Sequence, residues 1–231
     1  MVNDAAVLDH IAKLPHARAN FKQLVRELGA RGEERKRLEE ALDRLKQQGE
    51  VIETRSGHFV ASRFSREFAV GRLNAHRDGY AFLIADKPID NIKGDIYIPK
   101  ESALQAMPGD RAVVRIVRVQ SGGRADGEIV KILRRAHTTV VGEFRVRGRG
   151  NFVVPHDGRI QQWIEIPDGM EIPSTEQVDR VGARAMEVSS LEDLDGLIVN
   201  VELLEYSGDG GHPVGRVVEI LGHPDDFGID V

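Results

Sequence analysis

From Glu67 onward the chain repeats itself, and that repeat restricts its fold more than any other feature. Gly71-Arg72-Leu73 recurs as Gly142-Glu143-Phe144, Gly79 recurs as Gly150, and Asp86 is matched by Asp157. Ile96, Ile98 and Pro99 recur as Ile164, Ile166 and Pro167, and Gly127–Leu133 recurs as Gly215–Leu221. Each copy alternates apolar and polar residues with period two, in about five short runs bounded by turn residues. A run set of that kind suits a small closed barrel of the OB type. Two barrels in tandem are therefore expected, with most of the extra length of the second between Pro167 and Gly196. Residues 172–195 read equally as a loop or as a loop with a short helix.

The segment before the repeat has a different period. Ala6, Val7, Ile11 and Leu14 follow a helical spacing up to Pro15. Asn20 is a candidate N-cap for a helix carrying Phe21, Leu24, Val25 and Leu28 before Gly29. A third helix is expected from about Glu33 to Gln48, with Leu38, Ala41, Leu42 and Leu45 as its apolar stripe and Gly49 as its stop. Val51–Thr54 and His58–Ala61 read as a hairpin turning through Ser56-Gly57. Three helices and a hairpin are the winged helix-turn-helix layout. Arg35, Lys36, Arg37, Arg44 and Lys46 make the third helix a candidate nucleic-acid reader. Interleaved with Glu34, Glu39 and Asp43, the same residues read as a solvated face. The chain is thus α+β: a winged helix over residues 1–66, a first barrel over 67–136, a second over 137–223, and a connection over 224–231.

Charge is unevenly divided among these parts. The net charge is −5 over 231 residues, yet residues 1–66 and 67–136 each carry +3 and residues 137–231 carry −11. A phosphate-binding surface is expected in the first two parts. Cysteine is absent, which excludes disulfides, thiolate metal sites and thiol nucleophiles, and fits a reducing compartment. Charged residues interrupt the first twenty positions, and no apolar run approaches the ~18 residues of a membrane span. A cytoplasmic protein without a membrane partner is expected.

Strand alternation sorts the side chains of the first barrel. Ala81, Leu83, Ile96 and Ile98 fit the interior, which puts Tyr80, Phe82 and Tyr97 on the outer face of adjacent strands. Arg72, His76, Arg77 and Lys100 accompany those rings. Aromatic rings stack on bases while cations track phosphates, so this set is a candidate platform for single-stranded nucleic acid. Packing of the rings against a neighbouring domain is the competing reading.

On these residues the chain resembles a known family. His76-Arg77-Asp78-Gly79-Tyr80-Ala81-Phe82-Leu83-Ile84 and Asp95-Ile96-Tyr97-Ile98-Pro99 are similar to the two ribonucleoprotein-type motifs of cold-shock domains. Ala81 stands where a second glycine is usual, and Pro99 where a histidine is usual. A winged helix followed by two cold-shock-like barrels resembles the N-terminal region of the ribonuclease R family. The resemblance covers essentially the whole chain and is strongest over Gly71–Ile84, Asp95–Glu101, Pro108-Gly109-Asp110 and Gly215–Gly222. It implies barrels that guide single-stranded RNA to a catalytic domain outside this chain. That domain would degrade RNA from the 3′ end with magnesium held by acidic residues. It also implies that the winged helix serves structured RNA. No cofactor is implied for the chain itself.

In the repeat alignment Tyr80, Phe82 and Tyr97 correspond to Asn151, Val153 and Glu165, so the second barrel is expected to have lost its rings. A spacer that docks the catalytic domain is the expected role. Arg145 and Arg147 share a strand face and Arg149 follows in the turn, a basic strip that reads either as an RNA-backbone contact or as solvation of an edge strand. No histidine spacing or glycine-rich loop suits metal or nucleotide chemistry. Asp225, Asp226 and Asp230 lack the rigid scaffold that two-metal chemistry needs. Two other functions stay open: a stand-alone RNA chaperone or regulator, and a protein-interaction scaffold.

Overall fold

The structure is a computed structural model that describes residues 2–103, 106–148, 150–173, 191–206 and 211–224. Its backbone divides into two units, one of Met1–Asn74, Tyr80–Ala103 and Gly109–Arg135, the other of Ala75–Gly79, Leu104–Pro108 and Ala136–Val231.

The first unit begins with a small α+β head. Helix α1 (Asp4–Lys13) starts at Asn3, whose side chain accepts from the Ala6 N–H at 2.8 Å. The chain leaves α1 through a 3-10 turn at Pro15–Ala17, with His16 and Ala17 both at positive φ. Strand β1 (Arg18–Asn20) follows, and Asn20 then caps α2 (Phe21–Glu27) by accepting from the Gln23 N–H. Helix α3 (Glu33–Gln48) buries Leu38, Ala41, Leu42 and Leu45, the expected stripe. It ends at Gly49, where φ is +73° and an added Cβ would lie 2.5 Å from the Leu133 side chain. Only glycine meets both demands.

Strands β2 (Val51–Glu53) and β3 (His58–Ala61) complete an antiparallel sheet in the order β1-β3-β2. The hairpin was expected and the third strand was not. Three residues with one buried side chain between Pro15 and an N-cap give too short a signal for period two to register. Val51, Phe59 and Ala61 join the helical core, while Ile52 and Val60 turn to the first barrel and pack with Phe68 and Val113. The sheet is thus buried on both faces, one side by each neighbour.

The first barrel consists of β4 (Phe68–Ala75), β5 (Ala81–Ala85), β6 (Ile96–Ile98), β7 (Arg111–Val119) and β8 (Ala125–Arg134). These close in the order β4-β5-β6-β8-β7, with β6 and β8 parallel. A short helix, α4 (Lys100–Ala103), follows β6. Ala81, Leu83, Ile96 and Ile98 fill the interior as expected, none more than 1% exposed. At Gly71 a Cβ would sit 2.1 Å from the Ile84 carbonyl oxygen, so the close approach of β4 and β5 depends on a missing side chain.

In the second unit, β9 (Thr139–Arg147), β10 (Gly150–Pro155), β11 (Ile164–Ile166), β12 (Ile198–Glu205) and β13 (Val214–Gly222) close in the order β10-β11-β13-β12-β9. The topology repeats that of the first barrel, down to the parallel pair β11 and β13. Of the long connection, residues 174–190 lie outside the described residues, and its end is a 3-10 turn at Leu191–Leu194.

The two copies match strand for strand, with one correction to the expected register. The Asp86 N–H donates to the Val70 carbonyl, and the His156 N–H donates to the Val141 carbonyl. Since Val70 and Val141 precede the matched Gly71 and Gly142, Asp86 corresponds to His156 and not to Asp157. The pairings Ala81 with Ile98 and Phe82 with Tyr97 recur as Asn151 with Ile166 and Phe152 with Glu165. Tyr80 and Phe82 therefore correspond to Gly150 and Phe152, not to Asn151 and Val153. The physical reason is the hairpin: five residues join β4 to β5, but two join β9 to β10. A one-residue slip exchanges the faces of a whole strand.

Candidate nucleic-acid interface

On the first barrel, β5 and β6 carry Phe82 and Tyr97 directly opposite each other on the outer face, and Tyr80 enters from the residue before β5. The rings form a triangle with centroid separations of 5.7 Å for Tyr80–Phe82, 5.8 Å for Tyr80–Tyr97 and 5.7 Å for Phe82–Tyr97. Edge and tilted packing at these distances holds the rings against one another while leaving outward surface. Tyr97 is 37% exposed, and Tyr80 and Phe82 are half-buried.

Arg72 is exposed on β4 opposite Arg111, whose guanidinium is gripped by both carboxylate oxygens of Asp86 at 2.9 and 2.5 Å. Lys100 is exposed at the start of α4. Tyr80, Phe82, Tyr97, Arg72 and Lys100 thus belong to the same barrel. His76 and Arg77 belong to the other unit, where the His76 ring lies 3.3 Å from the Asp78 carboxylate and the Arg77 carbonyl accepts from Gln161.

Each cation proposed for α3 has an acid beside it. Arg35 meets Glu39, Lys36 meets Glu33, Arg37 meets Glu34, and Arg44 meets Asp4 and Glu40. Lys46 lies between Asp43 at 2.9 Å and Glu53 at 3.0 Å, whose hydrogen bonds push its pKa up. These residues solvate and brace the helix, and a phosphate would have to displace the acids to reach them.

On the second barrel Asn151 and Val153 point inward, 7% and 0% exposed, and the Asn151 amide donates to buried Glu171 at 3.1 Å. The outer face retains an aromatic group. Phe152 lies 6.2 Å from Trp163 and 6.5 Å from His212, and the Arg147 guanidinium lies 5.1 Å from the Trp163 ring centroid. Arg145, opposite Phe152 in the ladder, pairs with Glu143 at 2.7 Å. Glu165 occupies the place of Tyr97, as the alignment indicated. Arg149 lies outside the described residues, as do Asp225, Asp226 and Asp230. Phe152, Trp163 and His212 were missed by the sequence reading. A two-residue hairpin that pairs Arg147 with Gly150 sets Val153 opposite inward Phe144, and so turns Phe152 outward.

Among the described residues no group of three or more His, Asp or Glu is placed to hold a metal ion. No described helix is long and apolar enough to cross a membrane.

A family profile described as the ribonuclease B OB domain matches residues 71–132, nearly the whole first barrel. The chain is 30% identical to ribonuclease R of Thermotoga maritima over 213 residues, covering 91% of this chain and 26% of that protein. It is 28% identical to ribonuclease R of Escherichia coli over 217 residues, covering 94% and 24% respectively. The chain belongs to the ribonuclease R family. Ribonuclease R of Acidithiobacillus ferrooxidans is 27% identical over 91% of this chain and 43% of its own length. The chain therefore spans between about a quarter and two fifths of these ribonuclease R relatives. Among solved structures, apo ribonuclease R of Mycoplasma genitalium matches 68% of this chain and 22% of its own, with 18% identity and a TM-score of 0.50. Yeast Ssd1, described as a pseudonuclease, matches 69% of this chain and 23% of its own, with 16% identity and the same TM-score.

Proposed function

We propose that this chain is the RNA-binding portion of a ribonuclease R-type 3′–5′ exoribonuclease, and that it delivers single-stranded RNA to a catalytic domain carried elsewhere in the protein. The ring triangle of Tyr80, Phe82 and Tyr97, on the outer face of a barrel that also exposes Arg72 and Lys100, is the observation that carries this reading. Bases stack on the rings and the cations follow the phosphates. Magnesium and hydrolysis belong to the catalytic domain. The head is a winged helix, and its part is with structured RNA. The barrels are of cold-shock type. A cysteine-free composition fits a reducing cytoplasm. The fold alone does not decide cleavage, since a protein described as a pseudonuclease shares it. A non-cleaving RNA chaperone is accordingly the second reading.

Fluorescence anisotropy of a labelled single-stranded oligonucleotide, titrated at two salt concentrations, tests the proposal. Phosphate contacts release counterions, so affinity falls as salt rises. Absence of binding at low salt would remove RNA from the account and favour the protein-interaction scaffold.

A further inference from the structure

The second barrel was expected to be a spacer because its rings were thought lost. With the register corrected, one ring is conserved in place and two have moved. Phe152 takes the position of Phe82. Gly150 takes that of Tyr80, and the Phe152 ring lies over it, so that a Cβ there would meet the ring at 3.1 Å. The Tyr97 position became Glu165, but Trp163 and His212 bring aromatic surface back within 6.2 and 6.5 Å of Phe152.

We infer that Phe152, Trp163 and His212 form a second base-stacking site for single-stranded RNA, with Arg147 on its phosphate side. Trp163 stays 38% exposed with Arg147 stacked on it. The arginine thereby fixes the indole and keeps a cation at the edge of the stack. Charge is divided across the strands: exposed Arg147 lies on β9, where Arg145 is matched by Glu143, Phe152 lies on β10, and exposed Glu165 on β11. Phosphates are attracted to the β9 edge and repelled from the β11 edge, which orients a bound strand with its bases over β10. The −11 charge of the region makes this local basic edge the more distinctive. The inference rests on the reading of the chain as an RNA binder, but not on the platform of the first barrel.

Trp163 is the sole tryptophan of the chain, so its emission reports this site alone. The full chain is titrated with a fluorescein-labelled oligouridine for anisotropy, and with the unlabelled oligomer for tryptophan emission. Quenching that saturates with the anisotropy curve is expected. It should persist, at higher RNA concentration, in Tyr80→Ala/Phe82→Ala. Phe152→Ala and, independently, Arg147→Glu should each weaken binding about tenfold or diminish the quench, with circular dichroism unchanged. Anisotropy binding with constant Trp163 emission and unaltered affinity in both variants would overturn the inference, leave the patch to a protein surface, and spare the proposed function. No anisotropy binding by the wild-type chain would overturn both.

Discussion

Arg44 grips Asp4 through both carboxylate oxygens, at 2.8 to 3.2 Å, and so ties the first turn of α1 to α3 across the head. The hydrogen bonds from Arg44 hold the Asp4 pKa below its ordinary value. A carboxylate with a depressed folded pKa contributes stability above its unfolded pKa and loses it as pH falls through the folded one. Asp4→Asn should therefore lower the melting temperature slightly at about pH 7, by an amount that shrinks as pH falls below the unfolded pKa and through the depressed folded one. Thermal melts of both proteins across that range check the sign. A deficit of equal size at every pH would mean that the pair's charge contributes nothing. At this scale the sequence disclosed the caps, Asn20 among them, because a cap is local. It did not disclose Asp4–Arg44, forty residues apart, because no short-range pattern encodes a long-range ion pair.

Strands and helices were legible where a period runs long enough. The stripe of α3 and the inward set of β5 and β6 were read correctly because each is confirmed by several positions in phase. The register of β10 was not, because a hairpin of different length breaks the phase between the two copies. The structural account makes opposite demands on adjacent residues of β10. Val153, fully buried, should cost about 1–3 kcal/mol of stability when cut to alanine. Phe152→Ala should instead reduce RNA affinity and spare the fold. Urea unfolding of the two variants separates these outcomes. A stability loss confined to Phe152→Ala would restore the register that puts Val153 outside.

Across the whole molecule, charge at the level of domains pointed to the head and the first barrel, and the structure refines that picture. The cations of α3 are matched by acids on the same helix or beside it, whereas Arg72 and Lys100 are exposed on the barrel that carries the ring triangle. Conversely, the acidic second region holds a basic edge that its total conceals. Net charge averages over faces, and binding depends on one face. That is why composition located neither ring cluster, and why the first was legible from alternation and the second only from geometry.

The central claim is that the ring face of the first barrel holds single-stranded RNA. Its most direct test is the affinity of Tyr80→Ala/Phe82→Ala for a labelled oligonucleotide at one fixed low salt, beside the wild-type chain. The account predicts at least a tenfold loss, about 1.4 kcal/mol, with the fold intact by circular dichroism. Equal affinity in the two proteins would contradict it.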